Sequence, residues 1–162
     1  MTITITDFHR LQSAPEIEAC ARLMAASDPW LTLGIPYEAC KRMLADPSRE
    51  TWAAAADGSL AGCCVLLMQG PFKGYIQSIL VAPGMRSQGL GAQLLAFIEE
   101  RVFKETPNMF LCVSSFNQRA QQFYTRAGYE TIGVLKDFLV SGHDEILMRK
   151  SRGPLRAYRP PD

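Results

Sequence analysis

From Ile79 to Ala92 the chain reads Ile-Leu-Val-Ala-Pro-Gly-Met-Arg-Ser-Gln-Gly-Leu-Gly-Ala, an apolar strand that passes through a tight turn directly into a helix. The start of a helix leaves backbone N–H groups without intrahelical acceptors, and the aligned peptide dipoles add partial positive charge, so an anion is the natural partner. Gly89 and Gly91 remove Cβ atoms that would hold a phosphate away from the backbone. Arg86 contributes a cation, and no Asp or Glu stands between Gln77 and Glu99. The same glycines also suit a tight strand-to-helix turn with no ligand at all, and a lone Gly-x-Gly is a weak signal. A P-loop is disfavoured because no Lys-Ser/Thr follows. A dinucleotide fingerprint is disfavoured because Gly89-Leu90-Gly91 continues as Ala92-Gln93-Leu94.

Other reactive residue types are sparse. The five cysteines, at 20, 40, 63, 64 and 112, have neither Cys-x-x-Cys nor His-flanked spacing, so no metal site is expected. They read as reduced thiols in apolar elements, which fits a cytoplasmic protein. Cys112 lies in the apolar run Met109 to Val113, remote in sequence from His9 and His143, and reads as packing rather than as a nucleophile.

The elements that must position these residues follow from pattern. The 162 residues, 48% of them hydrophobic, suffice for one substantial core. Residues 1–150 are expected to form a single domain, and 151–162, with Arg152, Arg156, Arg159 and three prolines, a mobile tail or a surface-wrapping arm, a solvated tail being the default. The alternation from Met1 to Thr6 signals a strand. Ser13 with Pro15 and Glu16 starts one helix, and Pro36 opens another. Thr51 to Ala56 and Leu60 to Met68 flank the hairpin turn Asp57-Gly58. A strand over Tyr75 to Val81, a helix over Gln88 to Lys104, a strand over Phe110 to Ser114 and a helix over Gln118 to Ala127 follow. Another strand starts at Tyr129, and a last one near Glu145 to Lys150 is expected to pair with Lys136 to Val140. This order suits a mixed, mostly antiparallel sheet with helices on both faces, an α/β (α+β) class. The formal net charge is +1 and the basic residues do not cluster, so neither nucleic acid nor an anionic membrane is expected as a partner. No apolar run reaches the length of about eighteen residues that a membrane span needs.

The strand-turn-helix resembles the central motif of the GNAT superfamily of N-acetyltransferases. That motif is an apolar strand, Val-x-Pro, then Arg/Gln-x-x-Gly-x-Gly/Ala and an amphipathic helix; here it reads Val81-Ala82-Pro83, then Arg86-Ser87-Gln88-Gly89-Leu90-Gly91. A second stretch, Asn117 to Glu130, resembles the family's later segment, with Asn117, Ala120, Phe123-Tyr124 and Gly128-Tyr129 at matching spacing. Taken on their own, Asn117 is also a good helix N-cap and Gly128 a good helix terminator. The resemblance covers nearly the whole chain and implies the GNAT fold, in which the strands at Tyr75 to Val81 and Phe110 to Ser114 splay apart to admit the pantetheine arm of acetyl-CoA. It implies that the backbones of Ile79 and Val81 pair with pantetheine amides. The N–H groups of Gln88, Gly89, Leu90, Gly91 and Ala92, with Arg86, would take the pyrophosphate, and Asn117 would contact the pantetheine region.

The resemblance also places Tyr124 near the coenzyme sulfur, where a phenol suits the chemistry because a departing thiolate benefits from a proton donor. The implied activity is transfer of acetyl from acetyl-CoA to a primary amine of a small molecule, an amino acid or a protein N-terminus, by direct attack and without a metal. Many family members carry a carboxylate base on the central strand, about where Gln77 and Ser78 stand, and neither residue can serve. Glu38, Glu50, His143, Asp144 and Glu145 are alternatives, each expected at a solvated surface, and no base is assigned. Asp28, Trp30, Tyr37, Gln77, Phe72 and Phe138 are expected to line the acceptor pocket. The chain's end is similar to that of ribosomal-protein-alanine acetyltransferases. The missing carboxylate leaves a second reading open, a catalytically weak acyl-CoA-binding sensor. A monomer or homodimer is expected.

Overall fold

The computed structural model describes residues 3–162. Its elements run β1 (Asp7–Arg10), α1 (Ala14–Ala25), α2 (Trp30–Leu33), α3 (Tyr37–Ala45), β2 (Glu50–Ala56), β3 (Ser59–Leu67), β4 (Tyr75–Val81), α4 (Leu90–Phe103), β5 (Asn108–Ser114), α5 (Gln118–Arg126), β6 (Glu130–Val140) and β7 (His143–Ser151), with a 3₁₀ turn at Pro83–Met85 between β4 and α4. The strands form one seven-stranded sheet in the order β1-β2-β3-β4-β5-β7-β6, antiparallel except where β4 meets β5.

Local chemistry accounts for most boundaries. Ser13 caps α1, taking the N–H of Glu16 on its hydroxyl and donating to the Glu16 carboxylate in return, so two polar groups at the helix start satisfy each other. Asp57 and Gly58 both have positive φ, the backbone that a two-residue hairpin between twisted strands requires. Asn117 caps α5 by accepting from the Ala120 N–H at 3.1 Å.

Two cores sandwich the sheet. On one face α1, α2 and α3 bury Cys20, Met24, Trp30 and Leu44 against Ala53, Val65 and Leu80. On the other, α4 and α5 bury Leu94, Ile98 and Tyr124 against Cys64, Ile76 and Leu111.

Three expectations from sequence are displaced. The first strand begins at Asp7 rather than within Met1 to Thr6; Met1 and Thr2 lie outside the described residues. Ile3 and Ile5 are held instead by Gln93 of α4, whose amide donates to the Ile3 carbonyl and accepts the Ile5 N–H, both at 2.9 Å. The first long helix after β4 starts at Leu90, not Gln88, because Ser87 and Gly89 both have positive φ. β7 pairs with Glu130 through Leu135 rather than with Lys136 to Val140, meeting that later stretch only at Val140, opposite His143. The ladder is broken at Asp137, which has a φ of 49°; its N–H donates to Asp144 and its carboxylate takes the N–H of Gly142.

Candidate functional site

β4 and β5 pair only at Tyr75 with Phe110 and Ile76 with Leu111, then diverge. The cause is visible in the ladder with β3. There Leu66 pairs with Ile76 and Val65 with Ser78, so Gln77 is an extra residue in β4, a bulge that bends the strand. Beyond the bulge the Ala82 N–H donates to Ala61 of β3 at 2.8 Å. The two-residue period of a strand therefore turns the polar backbone groups of Ile79 and Val81 the other way, toward the gap. That gap is the mouth of a cavity of about 1460 Å³.

At one end of the cavity the turn into α4 presents an anion cradle. Ser87 and Gly89 are left-handed, with φ of 65° and 81°. A Cβ on Gly89 would meet nothing within 4 Å, so the space above the backbone is open. Among the described residues no protein acceptor pairs with the N–H groups of Gln88 through Ala92. Arg86 folds back to donate its Nε to the Val81 carbonyl at 3.1 Å and lines the cavity. Arg119, which sequence reasoning missed, donates to the Ser87 hydroxyl at 2.6 Å and adds a second guanidinium. Donor-rich, free of carboxylates and unfilled by side chains, this turn fits a pyrophosphate.

Gly91, Ala92, Asn117 and Tyr124 also line the cavity. Gln88 and Leu90 are not among its lining residues: the Gln88 amide bends to the Gly84 carbonyl at 3.4 Å, and the Leu90 side chain is buried in the core. Tyr124 is 6% exposed, its ring set edge-on to Phe123 and Tyr129. Its hydroxyl has no hydrogen-bond partner among the described residues. Burial pushes the phenol well above its ordinary pKa, with the neighbouring Cys64 adding to the shift, so it stands protonated and able to donate.

The opposite end is built from α2, α3 and the late hairpin. Asp28, Trp30, Phe72, Gln77 and Phe138 are among the residues that line the cavity. Asp28 is committed to capping, accepting both the N–H and the hydroxyl of Thr32. Tyr37 does not line the cavity: at the first position of α3 its ring packs beside the helical core and beneath Lys41, one turn on. Gln77, on the bulge, keeps a buried side-chain oxygen with no hydrogen-bond partner among the described residues.

The alternative carboxylates separate sharply. Glu50 is paired with Arg101, and Asp144 accepts from the Asp137 backbone. Glu145, expected at the surface, is instead 3% exposed and lines the cavity, with Ser114 donating to its Oε1 at 2.7 Å. The correction follows from register. Glu145 lies opposite Ser114 across β5 and β7, on the face of the sheet that looks into the gap.

The comparisons with known proteins agree with this geometry. The family model described as Acetyltransferase (GNAT) family matches residues 11–129. The chain belongs to this family. It is 33% identical over 93 residues to the aminoalkylphosphonate N-acetyltransferase of Salmonella typhimurium, a match that covers 54% of this chain and 60% of that one. Matches to the first three curated relatives span 60%, 38% and 65% of their lengths. Among solved structures, the fold is shared with the ribosomal-protein-S18-alanine N-acetyltransferase of Escherichia coli, at a TM-score of 0.72 and 16% identity over 94% of this chain and 99% of that one. It is also shared with an aminoglycoside 6'-N-acetyltransferase solved with coenzyme A, at a TM-score of 0.71 and 17% identity over 92% of this chain and 98% of that one. The mostly antiparallel sheet, its splayed centre and its two helical layers are thus those of the GNAT fold. Among the described residues no cluster of His, Cys, Asp or Glu could hold a metal, and no helix is long and apolar enough to cross a membrane.

Proposed function

We propose that this GNAT protein transfers an acetyl group from acetyl-CoA to a primary amine by direct attack, both substrates being held in the cavity at once. The observation that carries this reading is the continuity of one cavity from the open backbone edge of Ile79 and Val81 to the donor-rich turn at Ser87 to Gly89. A pantetheine arm laid along β4 extends the sheet where β5 has left it, and the pyrophosphate takes the N–H groups of Gln88 to Ala92 with Arg86 and Arg119. The Val81 carbonyl is already bonded to Arg86, so its contribution is the N–H.

Tyr124 supplies the proton that the departing sulfur takes up. The amine enters from the side of Trp30, Gln77 and Phe138. Five unbridged cysteines accord with a reducing, cytoplasmic setting.

The test is thiol release from acetyl-CoA with a panel of 2-aminoethylphosphonate, an alanine-initiated peptide, an aminoglycoside and a polyamine. Turnover is expected with at least one. Coenzyme binding by calorimetry with no turnover across the panel would support the acyl-CoA sensor, the reading that the absence of a carboxylate at Gln77 and Ser78 favours.

A further inference from the structure

A substrate ammonium has no lone pair, so one proton must leave before its nitrogen attacks. The central strand offers no carboxylate for that proton, but the facing wall does. We infer that Glu145 is the proton acceptor for the amine, oriented by Ser114. This rests on the acetyltransferase reading above.

Four observations carry it. Glu145 is the carboxylate that β7 turns into the gap between the splayed strands. Its Oε1 is fixed by the Ser114 hydroxyl, while Oε2 has no protein partner among the described residues. Second, the groups around it carry little charge: Ser114 and Cys112 on β5, Tyr75 on β4 and Leu135 on β6 share its side of the sheet, and His143 stands two residues before it on its own strand. Arg42 and Arg49 reach the same cavity from α3 and the segment after it, and Arg49 is paired with Asp46. Third, Gln77 lines the same cavity where the central strand passes it and carries no charge, so it offers no competing base. Finally, burial raises the Glu145 pKa, partly offset by Ser114 and His143, which brings a carboxylate closer to the basicity the task needs.

One ammonium proton passes to Glu145 and from there to solvent. The nitrogen forms its bond to the acetyl carbon as the carbon–sulfur bond breaks. The second proton lost by the nitrogen replaces the one that Tyr124 gives to sulfur, so amide, thiol and one released proton result.

Glu145→Gln keeps the shape and an acceptor for the Ser114 hydroxyl while removing the base. With the panel amine of highest turnover, its kcat/KM is expected to fall about 100-fold near neutral pH, with KM for acetyl-CoA unchanged. Because the variant can use only amine already deprotonated in solution, the deficit should close as pH rises toward about 10, the usual range of alkyl amines. A deficit constant with pH, or no deficit, overturns the assignment.

Should Glu145→Gln fail to fold, Ser114→Ala tests the same point. It removes a bond that favours the carboxylate, so the acid limb of the kcat/KM profile should move to higher pH; an unmoved limb counts against the inference. If the unaltered protein acetylates no amine, the proposed function itself has failed, an outcome distinct from either.

Discussion

Arg86 donates its Nε to the carbonyl of Val81 at 3.1 Å, closing the turn between β4 and α4 with a side chain that also faces the cavity. One residue thereby shapes the cradle and charges it. Arg86→Ala should weaken acetyl-CoA binding roughly 10-fold or more, the scale of a lost charge-assisted contact, measured by calorimetry. Equal affinity would place the phosphate elsewhere.

Tyr124→Phe keeps the buried ring and its edge-on contacts with Phe123 and Tyr129 but removes the hydroxyl. We expect kcat to fall by about 100-fold, with acetyl-CoA affinity retained, as measured by steady-state kinetics alongside equilibrium binding. An unchanged kcat would remove Tyr124 from the chemistry.

Gly89→Asn separates the backbone need from the ligand need. Asn tolerates a φ of 81° better than most residues, and its Cβ would meet no protein atom within 4 Å. The thermal midpoint should therefore change little, while acetyl-CoA affinity falls because the side chain occupies the cradle. Wild-type affinity would contradict the assignment of this turn.

Gly74 precedes β4, with a φ of 90°, and a Cβ there would collide with the Asn108 carbonyl and lie 2.8 Å from Val102. Gly74→Ala should destabilise the fold by about 2–3 kcal/mol through strain and overpacking, read as a lower urea midpoint.

His9 bridges Asp7 and Glu16, with both ring nitrogens 2.7 Å from a carboxylate oxygen. The Glu16 hydrogen bond chiefly raises the His9 pKa, while the same bond chiefly lowers that of Glu16. A raised folded-state pKa gives stability that is complete below the unfolded value, about 6.5, and is lost as pH climbs through the folded value. The lowered Glu16 value gives stability present above about 4.3 and lost as pH falls through its folded value. The difference in urea midpoint between wild type and His9→Gln should therefore be largest at about pH 5 to 6 and shrink in alkali. A difference independent of pH would show the contact to be inert.

The sequence was most legible where backbone chemistry is local. Ser13, Asp57-Gly58, Gly89 and Asn117 specify caps and turns through their own side chains or φ preferences, and each stands where its chemistry demands. The splayed strands were legible only through family resemblance, because a bulge at Gln77 is a property of pairing between β3 and β4. Glu145 was misread for a related reason: next to Asp144, a charged residue looks solvated until the register across from Ser114 is known. Tyr37 failed in the opposite direction, since an aromatic at a helix start says nothing about which layer it joins. Arg119 lies in the matched later segment, but only the meeting of α5 with the turn at Ser87 shows its contact.

Among the described residues, two paired positions are all that join β1–β4 to β5–β7 within the sheet. Mechanically, the molecule is a pair of stiff plates sharing a short seam at Tyr75 and Ile76, with α4 packed across their backs. A guest lying in the notch and bonding to the free edge of one plate while packing on the other acts as a removable rivet. Loading acetyl-CoA should therefore slow amide exchange in β5 and β7, far from the phosphates, as well as in the turn that grips them.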